Sequence, residues 1–433
     1  MIALLVSFAL LQDAPDDTKK RVEQLEKELD DVKKKLAGQE APAPPRETPQ
    51  DLPATAQDAK RDAGEVYSKS FLARFGRGVY LGGYIDIEYH NVEDSNNDTF
   101  DQHRLVPFIY ADVSKHIKLA TEIEIEHGNG TELGVEFAHV DYWATDAINL
   151  RAGIILDPLG KFNLVHDAPF QDLTLRPLVS ELITGVVLRE PGVGLFGQID
   201  ADPWEFEYEV YVVNGFKGLS KSGSTVINRT NGLRNARPHR NVFSEGAYRD
   251  FNDNKAVVGR FSASPFLGLE VGISAHAGKY DERGDNMLVV SAFDLTMRLG
   301  GVGRAIGIDS ELLGAFELVG EYVRADISRD DRAEAAGVPD DLDGLYAEVR
   351  FHFMPEFLRK AIPGANDEST FTLVYRFDDI DLDGARRRAH TFGINFRLRE
   401  DTVIKFEYQL RKEEGSAPNI DNDAFAASIA TYF

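Results

Sequence analysis

The chain has 433 residues, 43% of them hydrophobic, yet its longest largely apolar run spans only residues 2–11. That is short of the roughly 20 residues a membrane-spanning helix needs, so a helical membrane protein is excluded. With no cysteine, disulfides, thiolate metal sites and a lipid-anchoring cysteine are excluded as well, and a net charge of −24 argues against a nucleic-acid partner.

Taken in chain order, residues 1–14 read as an export signal peptide, although no basic residues precede the apolar core and no small-x-small cleavage site comes after it. Residues 19–38 form a candidate short coiled coil. Val22, Leu25, Leu29, Val32 and Leu36 recur at alternating spacings of three and four, flanked by Glu and Lys. Two heptads are marginal alone, so the seam points to oligomerisation by copies that something larger already holds together. Residues 39–62 are a Pro/Ala-rich linker. Residues 1–62 carry 13 acidic and 10 basic side chains, so nearly all the negative charge belongs to residues 63–433.

From residue 79 the period changes to two. Leu119, Ile123 and Ile125 oppose Lys118, Glu122, Glu124 and Glu126, and Phe406, Tyr408 and Leu410 oppose Lys405, Glu407, Gln409 and Arg411. Sixteen such segments are expected: 79–90, 103–113, 117–127, 132–143, 147–156, 192–200, 205–213, 255–264, 267–279, 286–298, 313–326, 343–354, 370–378, 390–399, 402–412 and 423–433. Most have the 9–11 residues of a tilted membrane strand. Their connections alternate between short turns and long polar loops, among them 157–191, 214–254 and 379–389. The segment 355–369 has room for a small helix. An even strand count with unequal connections predicts an all-β fold: a transmembrane antiparallel β-barrel in an outer membrane, occupying residues 63–433. Two strands are irregular. His139 and Asp141 share the parity of Leu133, Val135 and Phe137, and Asp294 shares that of Leu288 and Val290; a bulge or a register change there would leave 14 or 18 strands as alternatives.

The order of segments resembles the phosphate-selective porin O/P family of Gram-negative outer membranes. The likeness is carried by the opening strand GVYLGGYIDIEY, by ELGVEFAHVDYW followed by INLRAGIILDPLGKFN, by RPLVSELITG running on to GVGLFG, and by the terminal ATYF. It implies a sixteen-stranded barrel, a homotrimer, a third external loop folded into the lumen, and Phe433 as the aromatic signal read by the barrel-assembly machinery. The family's phosphate-selective members have basic pore linings, whereas here acidic residues predominate at the inferred lumen positions, so the substrate does not transfer with the resemblance.

Loop 157–191 is the candidate inward loop because it is too apolar to be freely solvated. It carries Phe162, Leu164, Val165, Phe170, Leu173, Leu175, Leu178, Val179, Leu182 and Ile183. Facing acidic and basic rows would set a transverse field at a constriction. The expected constriction residues are Arg151, Lys161 and Arg176 on the basic side and Glu122, Glu124 and Glu181 on the acidic side, with a weak cation preference from the negative total. Luminal charges also pair structurally, which claims about half of such a set. No HExxH or compact His spacing suggests a metal, no strand–glycine–helix context suggests a dinucleotide, and no enzyme or cofactor is expected. The expected function is passive diffusion of small hydrophilic solutes or ions. The alternative is a structural anchor whose periplasmic coiled coil touches peptidoglycan through Lys19, Lys20, Lys33, Lys34 and Lys35. Acidic external loops would meet divalent cations and lipopolysaccharide.

Overall fold

Alternating side chains let each strand place one row toward lipid and one toward the interior, and sixteen such strands close into a ring. The computed structural model describes residues 73–75, 78–93, 98–128, 130–185, 187–238, 250, 252–418 and 420–433. The expected signal, coiled coil and linker lie outside the described residues. A short strand β1 (Ala73–Phe75) pairs with β2 (Val79–Val92). The wall continues through β3 (Thr99–Asp112), β4 (Ile117–Gly128), β5 (Gly130–Trp143), β6 (Asn149–Leu156), β7 (Arg189–Ala201), β8 (Trp204–Val213) and β9 (Ala256–Phe266). It is completed by β10 (Leu269–Lys279), β11 (Met287–Arg298), β12 (Phe316–Ile327), β13 (Asp341–Phe353), β14 (Thr370–Asp381), β15 (Ala385–Arg399), β16 (Thr402–Gly415) and β17 (Ala424–Tyr432). Each strand from β2 on pairs antiparallel with the next, and β17 pairs back onto β2, from Ala424 opposite Val92 to Tyr432 opposite Tyr84. Gly83 and Phe433 exchange backbone hydrogen bonds at 2.9 and 3.1 Å beyond that ladder. The wall therefore has no free edge, the condition for placing a sheet in hydrocarbon.

All sixteen expected segments are strands of this wall. On the outside, Leu150, Val193, Val212, Ile273, Phe293, Phe392 and Phe406 are among many large apolar side chains left exposed. An aromatic run, Phe316–Phe351–Phe353–Phe371–Phe396, stacks from strand to strand at centroid distances of 4.6–5.7 Å near the short-turn end. An apolar band bordered by rings is the outer surface of an outer-membrane barrel.

The two irregular strands have different causes. In β5 the register shifts between Glu122 and Ile123, which face Phe137 and Val135, so Glu136 is the extra residue. Glu136 and Phe137 both turn inward, and the parity of His139 and Asp141 is thereby reset to the lumen. β11 contains no such shift in its pairing with β12. Leu288, Val290 and Ala292 instead face inward with Asp294 and join a buried apolar cluster with Leu182, Ile183, Val323 and Leu342. Apolar residues line the lumen there because something fills it. The connection expected over 379–389 is likewise mostly strand: β14 and β15 run on to a turn at 382–384, held by Asp379 against Arg386 and Arg388. The segment 355–369 holds a short helix, Glu356–Ala361.

Candidate functional site

The lumen is filled by the loop at 157–188, joined in the same apolar cluster by Phe216, Leu219, Ile227, Leu233 and Ala236 of the next long connection. The apolar side chains of the 157–188 loop are buried (Phe162, Leu173, Val179, Leu182, Ile183) or half-buried (Leu164, Val165, Phe170, Leu175, Leu178), and none of them is exposed. Its two ends are tied together by Asn163, whose side-chain amide donates to the carbonyls of Asp157 and Leu188 at 2.8 and 2.9 Å and accepts from Leu188 N–H at 2.8 Å. Next, the loop touches β10–β12. Gly160 N–H donates to Ser274 Oγ at 2.9 Å and Phe162 N–H to Glu321 Oε2 at 3.1 Å. Gly160, at φ 73°, sits so close to the Glu321 carboxylate that any Cβ would collide with it.

The middle of the loop crosses to β13–β17 and is held there by charge. Asp172 pairs with Arg397 at 2.9 Å and Arg350 at 3.4 Å and accepts from Asn395 at 3.1 Å. Arg397 also donates to the carbonyls of Pro169, Phe170 and Gln171. Lys405 Nζ donates to the carbonyl of Ala168 at 2.8 Å, and Glu407 accepts from the Thr174 and Leu175 N–H groups at 2.6 and 2.8 Å. Arg376 reaches the carbonyls of Leu175 and Arg176, Asp378 accepts from Leu178 N–H at 2.9 Å, and Tyr432 donates to Asp167 at 2.9 Å. His166 meets Glu136, the bulged residue of β5. A loop with few regular backbone bonds thus finds its partners on the wall, as buried backbone must. Burial raises the pKa of Asp172, but Arg350 and Arg397 outweigh it and hold the carboxyl below the usual carboxylate range.

The six expected constriction residues divide sharply. Arg151 is buried against Asp141, with contacts at 2.9 and 3.0 Å, and donates to the Tyr211 hydroxyl at 3.2 Å. Lys161 is buried between Glu270 at 2.6 Å and Thr296 at 3.0 Å. Glu124 lies 3.2 Å from Arg104 and 3.4 Å from Arg189, and Glu122 is buried on the inner face of β4. Glu181 is half-buried in a π-helical turn, Ser180–Gly185, and acts electrostatically on Arg411.

Arg176 differs from the others. Both its terminal guanidinium nitrogens are buried and have no hydrogen-bond partner among the described residues. Burial, then repulsion from Arg104, lowers its pKa. It borders a narrow open space that is also lined by Glu88, Arg104, Arg376, Lys405 and the loop residues 173–175. The alternation along β14–β16 puts Arg376, Arg397, Lys405 and Glu407 on the inner wall but does not mark them as the loop's anchors; their inward parity is the only signal the sequence offers.

No protein-family model matches the chain. A protein of Aquifex aeolicus (strain VF5), described only as uncharacterized, is 25% identical over 391 residues, which cover 86% of this chain and 83% of that protein. Among solved structures, the chain is similar to the anion-selective porin from Comamonas acidovorans, at 12% identity with a TM-score of 0.50, covering 82% of this chain and 99% of that one. It is also similar to Salmonella typhi OmpF in complex with daunomycin, at 11% identity with a TM-score of 0.50, covering 83% and 98%. At such identities the likeness is one of fold: a large antiparallel barrel of the outer-membrane porin type.

Proposed function

We propose that this barrel is a porin, a passive channel for small hydrophilic solutes or ions, and that the 157–188 loop is its constriction. The observation that carries this reading is a loop folded inward and fastened to wall strands on both sides of the lumen, beside an open space lined by charged side chains. A barrel serving only as an anchor has no use for a positioned charged passage. Four basic groups, Arg104, Arg176, Arg376 and Lys405, face Glu88 around that space. Most have carboxylate or carbonyl partners, and Arg176 is the one whose terminal nitrogens do not. The preference assigned to the constriction is therefore for small anions, the reverse of what the total charge of −24 suggests.

Within this reading the chain stands near the phosphate-selective O/P porins as a trimer. Residues 1–14 are its export signal, the heptads at 19–38 and the linker at 39–62 are its periplasmic extension, and Phe433 is its assembly signal. Reconstitution into a planar bilayer across a KCl gradient tests the function. Stable conductance with an anion-selective reversal potential is expected. A cation-selective sign would return control to the acidic wall, and no conductance from demonstrably folded protein would favour the anchor. Deleting residues 19–62 separates the two roles: envelope attachment lost with conductance intact adds tethering to the pore.

A further inference from the structure

The inward loop is rooted beside a group of side chains that the constriction does not use. Asp157 is the first residue after β6, Glu190 is the second residue of β7, and His276 lies on β10, three strands further round the wall. Asp157 and Glu190 have no exposed surface, and His276 is 1% exposed. One ligand atom from each lies within 4.8 Å of the others. His276 Nε2 is 2.9 Å from Glu190 Oε1, while the other Glu190 oxygen accepts from Gly215 N–H. Phe216 fixes the imidazole edge-on, at a centroid distance of 4.8 Å and an interplanar angle of 75°.

Among the described residues, Asp157 accepts no hydrogen bond from an N–H or hydroxyl and instead faces the Glu190 carboxyl closely enough to share a proton with it, and neither Asp157 nor Glu190 has a lysine or arginine within ion-pair distance. Other buried carboxylates in this lumen, Asp141 and Asp294 among them, are matched by a guanidinium, from Arg151 and Arg260 respectively. Two adjoining acidic groups without surface are held together either by a shared proton or by a cation that replaces it. An imidazole nitrogen with two carboxylate oxygens is the donor set of a zinc-type divalent ion, three protein ligands leaving a fourth position open.

We propose that Asp157, Glu190 and His276 bind a divalent transition-metal ion of the zinc type, which clasps both roots of the constriction loop to β10. Ligands about 2.0–2.2 Å from a tetrahedral ion stand about 3.4 Å apart, so His276 and Glu190 separate slightly to admit it. The two other clusters with suitable atoms make weaker candidates. Glu136, His166 and Asp167 already bond one another, Asn163 or Tyr432, and Asp340, Asp341 and Asp383 form a partly exposed acidic patch.

The proposal stands independently of the pore reading, since conductance is measured separately. The full chain, folded in detergent and stripped of metal, is titrated with Co²⁺ and then Zn²⁺. One Co²⁺ per chain is expected, with the visible absorption of a four-coordinate ion, displaced by Zn²⁺ and accompanied by a rise in the thermal midpoint. His276→Gln and Asp157→Asn, checked for folding by far-UV circular dichroism, should each lose the absorption, while Glu136→Gln keeps it. Absence of stoichiometric binding by the folded wild type overturns the site. So does absorption that survives both His276→Gln and Asp157→Asn, or that is lost on Asp383→Asn instead.

Discussion

The two halves of the inward loop are held by different forces. From 157 to 164 the chain is fixed by Asn163 bridging its roots and mainly by Leu159 and Phe162 in the apolar cluster under β10–β13, joined by the ion pair of Lys161 with Glu270. From 166 to 178 it is fixed by Asp172, Arg397, Arg350, Lys405 and Glu407, through buried ion pairs and charged hydrogen bonds to its own backbone. The apolar half sets where the loop enters the lumen, and its strength depends on volume. The charged half sets what a passing solute meets, and its strength depends on each partner being present. The same loop is thus scaffold at its root and lining at its middle.

Changing volume near the root should have the largest effect on stability. Ile183→Ala, in the same cluster, should cost about 2–5 kcal/mol in urea unfolding of the folded barrel while leaving the reversal potential unchanged. A changed reversal potential would erase the distinction between the halves. In the charged half, Asp172→Asn should weaken loop attachment by about 2–3 kcal/mol, because Arg350 and Arg397 lose a buried carboxylate. Single-channel records should then show frequent transitions to other conductance levels.

Acidification sharpens the same contrast. The folded-state pKa of Asp172 lies below its ordinary value, so its contribution is complete above that ordinary value and is lost only as pH falls through the lower, folded one. Current noise attributable to the loop should stay low through the range where ordinary carboxylates protonate and rise only beyond it; Asp172→Asn should be noisy at every pH. Arg176→Gln should have the smallest cost in stability, since its buried terminal nitrogens have no partner to lose. It should nevertheless shift the reversal potential toward cations.

Strand number and strand order were legible because lipid outside and water inside impose a period of two along each strand. The irregularity of β5 was legible as well, since His139 and Asp141 broke that period, and the structure decides for a bulge among the readings it left open. β11 misled because its inward apolar row, Leu288, Val290 and Ala292, answers to loop residues whose position depends on closure of the whole ring. The turn at 382–384 was hidden by charge: Asp379, Arg386 and Arg388 look solvated in sequence but pair across strands. Among the expected constriction residues, Arg151 pairs within the wall, Lys161 pairs the loop to the wall, and Arg176 borders the open space. Their residue types are alike, and only the contacts separate them. The same reason hid the convergence of positions 157, 190 and 276, which no local spacing reveals.

The contact between Asp167 and Tyr432 joins residues 265 positions apart. Nearly every partner of the loop's charged half lies in β13–β17, so those partners leave the ribosome after the loop does. The loop cannot acquire its bound shape before those strands are present. Seating of the loop therefore waits on strands far along the chain, and contacts between such distant residues are the kind that slow folding.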